Sequence, residues 1–413
     1  MKVATLSIGD ELLLGEVVDT NSAHIAERLY MHGIKVHRHL TVGDLEQDIA
    51  EAILSLAGIS DAVIATGGLG PTIDDITARA AAKATGRRLV LNEEALAHVR
   101  KVAGKLGRGV HPLNEKQALL PATSLLIPNP VGTACGFYLV HNGCPIFFMP
   151  GVPGEMARML DGAVIPLIGE KRYSNKILKT RVLKIFGLSE AEVDDMLKSL
   201  ITADSGVTVA FSVDFPEVHV KLRAEGDSEL FADEALAKAS EQALKRLQGH
   251  VFGEDRETLD AVVAELFRRK GATLSLAESC TGGMVAKLIT DVPGSSAYFI
   301  EGAITYADAA KVRALGLSPR LLEEHGAVSS ATAMAMARGM RNLSGSDIAL
   351  AITGIAGPAG GSGEKPVGTV FLALATRAGC QVKEYRFSGS RDEVRTITAF
   401  TAMDWLRRHL MSL

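Results

Sequence analysis

Apolar and polar positions alternate along the first part of the chain as they do in an α/β sheet. Short apolar runs predict strands, and amphipathic stretches predict the helices between them. The predicted elements are the strands Lys2–Ile8, Ile34–Leu40 and Asp61–Ala65 and the helices Ser22–Met31 and Leu45–Leu56. This alternation predicts a parallel sheet with helices on both faces, and ligand-binding loops beyond the carboxyl ends of its strands.

The same alternation returns from Arg256 to the end of the chain. The predicted elements are the helices Leu259–Lys270, Gly283–Thr290 and Asp392–His409, the strands Thr273–Ala277, Asp347–Ile352 and Val367–Ala375, and a strand Gly302–Tyr306 followed by a helix from Ala307. Between the two blocks, the pattern predicts a strand Lys176–Phe186, a helix Ser189–Leu200 capped by Ser189, a hairpin of Val207–Val213 with Glu217–Ala224, and a helix Leu230–Leu247. The fold class is therefore α/β: two three-layer α/β/α domains, 1–170 and 254–413, joined by a small α+β domain, 171–253.

Composition narrows the classes of protein that fit. Of 413 residues, 47% are apolar and 22% are charged, and the formal charge of −4 gives no basic field for nucleic acid or an anionic membrane. The four cysteines are scattered without a C-x-x-C pair, as in a reduced cytosolic protein. The opening residues lack a signal-peptide pattern, and no apolar stretch approaches the ~20 residues of a membrane helix. We expect a cytoplasmic protein.

Chemistry-bearing residues cluster in three segments of the last block. The segment LSLAESCTGGMVAKLIT runs from an apolar strand into a helix and places Ser279 and Thr281 at the junction. Helix N-terminal N–H groups there can hold a phosphate or an oxyanion, although either hydroxyl could simply be an N-cap. The segments GAITYADAAK and AITGIAGPAGG add tyrosine, lysine, threonine and glycines but no histidine. A serine hydrolase built from them would use a lysine base. The alternative is Cys280 as nucleophile, with His325 as its base.

The segments AESCTGG, TYADAAKVRALG, AITGIAGPAGG and FSGSRDEVR resemble the C-terminal domain of the CinA family of competence/damage-inducible proteins. That domain is similar to the stand-alone bacterial nicotinamide mononucleotide deamidases. The resemblance implies Ser279 as nucleophile, Lys311 as base, and Tyr306 and Thr353 as groups that orient or polarise the amide. The substrate-binding residues that it implies are Thr281, Gly282, Gly283, Ser296, Gly354, Gly357, Arg391 and Arg395.

The implied reaction needs no metal. The serine attacks the carboxamide, ammonia leaves, and water releases nicotinic acid mononucleotide from an acyl-enzyme. A lysine acts as base in such a reaction only when its pKa is lowered from ~10.4 by burial or by nearby positive charge. The cationic pyridinium ring of the substrate could contribute to that lowering.

Four segments carry the chemistry of the first block: GDELLLGEVVDTN, TGGLGPTIDDIT, NPVGTACGF and MPGVPGEM. In the second, glycines after a strand suit a pyrophosphate, and Asp74 and Asp75 suit a hard cation. A plainer interpretation is that the two aspartates begin a helix and complement its dipole.

Together these four segments resemble the N-terminal domain of the same family, which is related to molybdopterin-binding proteins. The resemblance implies metal-dependent hydrolysis of ADP-ribose to AMP and ribose 5-phosphate, with a Mg²⁺- or Co²⁺-type ion. It implies Asp10, Asp74, Asp75 and Glu155 as metal or water-activating carboxylates, Asp75 being also catalytic, and it implies phosphate contacts from Gly67, Gly68, Gly70 and Thr72. Cys135 departs from the proline of the family's G-T-A-P-G-F. Pterin or nucleotide binding without turnover is the alternative.

The middle segment corresponds to a KH-like module of the family, and KH domains bind single-stranded nucleic acid through a G-x-x-G loop. This segment has no G-x-x-G, and residues 171–250 carry 12 Lys and Arg against 13 Asp and Glu. We therefore expect a spacer or oligomerisation element, no nucleic-acid contact, and a homodimer by analogy with the family. A non-catalytic adaptor for recombination is the competing class of function.

Overall fold

The structure is a computed structural model that describes residues 1–105, 112–169, 177–200 and 206–413. The predicted domain boundary at residues 170 and 171 and the predicted strand start at Lys176 lie outside these ranges. Two compact units are present, one of 1–179 with 225–233 and one of 180–224 with 234–413. No helix in the described ranges is both long and apolar enough to cross a membrane.

The first unit contains a six-stranded sheet in the order β2-β1-β3-β8-β7-β6 and a two-stranded ribbon β4-β5. The strands are β1 Val3–Ile8, β2 Val36–Val42, β3 Ala62–Thr66, β4 Leu89–Leu91, β5 Leu119–Pro121, β6 Leu125–Ile127, β7 Gly136–His141 and β8 Cys144–Met149. The helices are α1 Asp10–Leu13, α2 Thr20–Met31, α3 Glu46–Ala57, α4 Thr77–Ala84, α5 Glu93–Lys105, α6 Pro112–Glu115, α7 Pro153–Met159 and α8 Ile165–Gly169.

Helices cover both faces of this sheet, as expected for a three-layer domain. Ile49 and Ile53 of α3 belong to the core on one face. Ile25 of α2 and Met156 of α7 belong to the core on the other. The predicted parallel pairing is found in β2-β1-β3-β8, whereas β6-β7-β8 is antiparallel, so the sheet is mixed. Asn142 and Gly143, both with positive φ, form the tight turn between β7 and β8 that a two-residue hairpin requires.

The middle segment supplies a four-stranded sheet in the order β10-β11-β9-β12. Its elements are β9 Ile177–Ile185, α9 Glu190–Leu197, β10 Val207–Asp214, β11 Glu217–Gly226, α10 Glu229–Leu247 and β12 Val251–Glu254. Ser189 caps α9 as predicted, in a reciprocal capping box with Glu192. The predicted hairpin is present, with Asp214 paired to Glu217 across its turn.

The last block forms a five-stranded sheet in the order β14-β13-β15-β16-β17. Its elements are α11 Leu259–Lys270, β13 Leu274–Glu278, α12 Met284–Thr290, β14 Phe299–Ile304, α13 Asp308–Leu315, α14 Pro319–His325, α15 Ser330–Ser344, β15 Ile348–Gly354, β16 Thr369–Thr376, β17 Gly379–Arg386 and α16 Arg391–Ser412. Only β14, β13 and β15 are parallel, since β16 and β17 return as antiparallel strands. Phe267 and Leu406 pack on one face and Met336 and Met340 on the other, which gives the expected three layers.

Candidate functional site

The carboxyl ends of three parallel strands meet at one edge of the last sheet. Glu278, the final residue of β13, pairs with Ile304 of β14 and Ile352 of β15. The residues that follow these positions therefore share one edge of the sheet, and they include Ser279, Tyr306 and Thr353. This edge is where ligands bind in open α/β sheets.

A cavity of about 280 Å³ opens at this edge. The predicted site residues that line it are Ser279, Tyr306, Lys311, Thr353, Gly354, Gly357 and Arg391. Five other predicted residues are not in its lining: Thr281, Gly282, Gly283, Ser296 and Arg395. The strand–loop–helix pattern thus brings the implied nucleophile and base to one cavity, together with one of the two arginines.

Ser279 and its neighbour Cys280 both line the cavity. Ser279 continues the pairing of β13, because its N–H donates to Ile352 O at 3.0 Å. Burial raises the pKa of the Cys280 thiol to about 12, so the reactive thiolate is essentially absent near neutral pH. His325, the base that a cysteine mechanism would need, ends α14 and is not among the lining residues.

Lys311 reaches the cavity from α13 and is 1% exposed. Its Nζ donates to Tyr306 O at 3.2 Å and to Asp308 Oδ1 at 3.4 Å. These two acceptors hold the amine in place at the side of the cavity. A buried amine and a serine hydroxyl in the lining of one cavity are the groups that a serine–lysine mechanism needs.

Arg391 lies at the start of α16 and is fixed by two contacts. One guanidinium nitrogen donates to Tyr306 Oη at 2.9 Å, and another donates to Gly357 O at 2.6 Å. The guanidinium of Arg395 has a different partner, since it donates a hydrogen bond to Thr281 O at 2.9 Å. Of the two arginines predicted to bind the substrate, Arg391 is therefore the one that the fold brings to the cavity.

The helix N-terminus after Ser279 is not free to bind an anion, contrary to our expectation. The buried carboxylate of Glu278 accepts hydrogen bonds from the N–H groups of Gly283, Val285 and Ala286 at 2.8–3.3 Å. These are the donors that were expected to hold an oxyanion or a phosphate. Glu278 was missed in the sequence because a carboxylate at the end of a buried strand gives no sign of which amides it will meet.

Two further expectations are corrected. The Thr353 hydroxyl donates to Ala327 O at 2.7 Å, so it can accept a hydrogen bond from a ligand but has no proton left to polarise a carbonyl. Ser296 belongs to a short turn, Ser295–Ala297, that precedes β14. It therefore lies at the opposite end of this strand from Tyr306.

The first unit has its own cavity, of about 400 Å³, beyond the carboxyl ends of β1 and β3. The predicted residues that line it are Gly67, Gly68, Gly70, Asp74, Asp75 and Glu155. Gly67 must be glycine here, because its φ is +107° and an added Cβ would lie 2.0 Å from Ile8 O. Glu155 accepts a hydrogen bond from the Asn129 amide at 2.6 Å.

Asp75 shapes the glycine loop instead of beginning a helix. Its carboxylate accepts from Gly70 N at 2.7 Å and from Thr72 N at 2.8 Å, and it lies 2.6 Å from the Thr72 hydroxyl. Helix α4 begins only at Thr77. Gly67 N donates to Met149 O, so the amides of Gly67, Gly70 and Thr72 are occupied. Among the described residues of this loop, Gly68 and Leu69 are the ones whose backbone N–H groups remain available to a phosphate.

The predicted carboxylate set is assembled differently from our expectation. Asp10 is not in the lining, and its carboxylate accepts from Asp44 N at 3.0 Å. Asp44 and Glu11, which the sequence reading missed, do line the cavity. Burial raises the pKa of Asp44, and the negative charges of Asp10, Glu11 and Asp74 raise it further. Within the described ranges, no three His, Cys, Asp or Glu side chains are grouped so as to hold a metal ion between them.

Comparison with known proteins gives the class to which these domains belong. Residues 4–170 match the probable molybdopterin binding domain, residues 180–253 match the damage-inducible protein CinA KH domain, and residues 256–410 match the CinA C-terminal domain. A CinA-like protein of Geotalea uraniireducens is 64% identical over 413 residues, 100% of this chain and 98% of the relative. One of Geobacter sulfurreducens is 59% identical over 412 residues, 100% of each chain. The chain belongs to the CinA family.

Solved structures resemble part of the chain. The competence/damage inducible protein CihA from Agrobacterium tumefaciens is 42% identical, with a TM-score of 0.36, and the match covers 37% of this chain and 93% of that one. The CinA protein from Thermoplasma acidophilum is 36% identical, with a TM-score of 0.38, over 40% of this chain and 99% of that one.

Proposed function

We propose that the C-terminal domain is an amidohydrolase that converts nicotinamide mononucleotide to nicotinic acid mononucleotide and ammonia. The observation that carries the proposal is the meeting of Ser279, Lys311 and Tyr306 around one cavity at the carboxyl edge of the sheet. A non-catalytic adaptor would have no use for a serine, a tyrosine and a buried lysine around one cavity. The adaptor alternative is therefore the weaker one.

Lys311 is assigned as the base because its buried side chain lines the same cavity as Ser279. A neutral amine has two hydrogens and one lone pair, and the two acceptors, Tyr306 O and Asp308 Oδ1, can take both hydrogens. The lone pair then remains for the proton of Ser279. As this proton leaves, Ser279 Oγ attacks the carboxamide carbon, and the protonated amine returns the proton to the departing ammonia.

Tyr306 and Arg391 suit the remaining parts of the substrate. Because the Tyr306 hydroxyl accepts its bond from Arg391, its own proton is available for the carbonyl oxygen of the amide. Arg391 keeps further N–H donors for the phosphate of the nucleotide. Water then attacks the acyl-enzyme, with Lys311 as base again.

Trapping the acyl-enzyme tests this mechanism. With hydroxylamine present during turnover, part of the substrate should leave as the hydroxamate, and acid quenching should leave an acyl group on the peptide that contains Ser279. Neither product should form with Ser279→Ala. Ammonia release without any hydroxamate or acyl peptide would argue for direct attack by water.

For the first unit we propose hydrolysis of ADP-ribose to AMP and ribose 5-phosphate with a Mg²⁺- or Co²⁺-type ion. Burial and the negative charges of Asp10, Glu11 and Asp74 raise the pKa of Asp44. A bound cation would relieve the repulsion among these carboxylates, which favours a metal-dependent reaction here. Mg²⁺ needs only one or two carboxylates when substrate phosphates and waters complete its shell, and Asp44 and Asp74 could provide them. Such an ion would neutralise the pyrophosphate charge. Release of AMP that requires a divalent ion is the test; pterin binding without turnover is the alternative outcome.

A further inference from the structure

The side-chain amide of Gln117 is buried, and its oxygen has no hydrogen-bond partner. Gln117 lies in the short turn Lys116–Ala118 and is 7% exposed. Its Nε2 is 3.5 Å from Leu69 O, and its Oε1 has no hydrogen-bond partner. Because Leu69 O can only accept, the nitrogen must face it, and this fixes the direction of the oxygen. A buried acceptor without a donor is costly, and a bound ligand that supplied the donor would remove this cost.

Gln117 stands where two cavities meet. It lines the 400 Å³ cavity described above and also a second cavity of about 180 Å³. The two cavities share Gly68, Leu69, Gly70 and Asp75 as well. A single ligand could therefore place its phosphates at the glycine loop and another part of itself in the second cavity.

The second cavity has largely apolar walls. The apolar lining residues that matter here are Ile76, Ala78, Leu89, Leu119, Leu120 and Cys135. Burial raises the pKa of the Cys135 thiol to about 11, so this side chain is neutral near pH 7. The two cations in the lining are engaged, since Arg79 pairs with Glu46 and Lys116 donates to Thr72 O. Among these lining side chains, Gln117 Oε1 is the buried polar atom without a hydrogen-bond partner.

We propose that the second cavity holds the flat heteroaromatic ring of a nucleotide and that Gln117 Oε1 accepts a hydrogen bond from the amino group on the ring edge. Apolar walls suit the faces of such a ring, and the amide oxygen suits its amino group. The inference rests on the proposed nucleotide function of the first unit. Gln117 then discriminates among nucleotides, because a ring without the donor leaves the oxygen unpaired.

Two ligands that differ only in the amino group test this assignment in the full-length protein. AMP carries the group, and purine riboside monophosphate has the same ring without it. We expect AMP to bind about ten-fold more tightly by calorimetry, the effect of one buried hydrogen bond of about 1.4 kcal/mol. Equal affinities, or no measurable binding of AMP, would overturn the proposal without any variant being made.

Variants then assign the preference to Gln117. Gln117→Met keeps the length of the side chain but removes the acceptor, so the ratio of the two affinities should fall to about one. Gln117→Glu keeps an oxygen acceptor and should retain the preference for AMP. An unchanged ratio in folded Gln117→Met would overturn the assignment. Since binding of AMP needs no turnover, a normal ratio without ADP-ribose cleavage would reject only the hydrolase proposal, and cleavage with equal affinities would reject only this one.

Discussion

The guanidinium of Arg391 donates a hydrogen bond to the hydroxyl of Tyr306 at 2.9 Å, across 85 residues of sequence. The contact joins the start of α16 to the loop after β14 at the mouth of the C-terminal cavity. It leaves the proton of the tyrosine free and orients the arginine. In the proposed reaction, this hydrogen bond would prepare a donor for the amide and a cation for the phosphate.

Replacing Tyr306 by phenylalanine should therefore affect both steps of the proposed reaction. We expect kcat for ammonia release to fall by about 10²-fold, through loss of a donor to the developing oxyanion. KM should rise as Arg391 loses its partner. Tyr298→Phe is the matched control, because that hydroxyl is buried without a hydrogen bond and lies at the other end of β14. Similar kinetics for the two variants would contradict the role given to Tyr306.

Thiol reactivity should follow burial. The pKa of Cys280 is raised to about 12 and that of Cys135 to about 11, in both cases chiefly by burial. Below about pH 10 both thiols should resist a disulfide reagent such as DTNB in the native protein, and all four cysteines should react after denaturation. Rapid labelling of Cys280 at pH 8, with loss of ammonia release, would instead revive the cysteine mechanism.

Glu278 should be a positioning residue for the turn that carries Ser279. Glu278→Gln places an NH₂ group against amide donors, and we expect a loss of about 3 kcal/mol in the free energy of unfolding. kcat should fall while KM changes little, because the turn loosens but the arginine stays. Glu301→Gln, on an exposed position of β14, is the control. If Glu278→Gln matched that control in denaturant titrations, the three hydrogen bonds would have no energetic weight.

Asp44 gives the first unit a distinct response to pH and to cations. Its folded-state pKa is raised above the ordinary 3.8, mainly by burial. The folded state therefore binds this proton more tightly, so the contribution of Asp44 to stability is greatest below 3.8 and is lost as pH rises through the raised value. At pH 7 a divalent ion should raise the melting temperature of this unit, and Asp44→Asn should weaken that response. An identical response in the variant would place the cation elsewhere.

The C-terminal domain should depend on the middle segment for stability. Arg407 is 2% exposed, and besides its ion pair with Asp404 it donates to Gly249 O at 2.5 Å and to Val251 O at 3.5 Å. A fragment 254–413 lacks both acceptors, whereas a fragment 177–413 keeps them. With ~1.5–3 kcal/mol per hydrogen bond to a charged group and ~2–4 °C per kcal/mol, we expect the shorter fragment to melt at least about 5 °C lower.

The two proposed activities should be separable, because each domain has its own cavity. We predict that the fragments 1–170 and 254–413 each retain their own activity when they are folded. Equal melting temperatures for 254–413 and 177–413 would show that the Arg407 contacts contribute little. Loss of both activities in folded fragments would contradict the independence of the two cavities.

Local pattern was enough to predict most elements of this fold. The helix Leu259–Lys270 is found with the predicted bounds, since its apolar spacing and the following glycine mark both ends. The hairpin between β7 and β8 was missed, although its Asn-Gly turn is visible in the sequence. Strand direction depends on such turns, and for this reason the sheets are mixed where parallel ones were expected.

The sequence was enough to predict which segments form the candidate site, but not which side chains contact one another there. Parallel strands bring Ser279 and Thr353 to one edge whatever the loops do. The choice between Arg391 and Arg395 depends on how α16 turns its first residues toward Gly357 and Thr281. Likewise, Asp75 looks like a ligand in the sequence and Glu278 gives no sign of a role there, and only the fold shows that backbone amides satisfy both carboxylates.

Ammonia release from nicotinamide mononucleotide by the purified protein, measured beside Ser279→Ala and Cys280→Ala, is the most direct test of the central claim. We expect release that persists in EDTA and in Cys280→Ala but disappears in folded Ser279→Ala. No release from the intact protein, or release that survives in Ser279→Ala, would contradict the serine amidohydrolase.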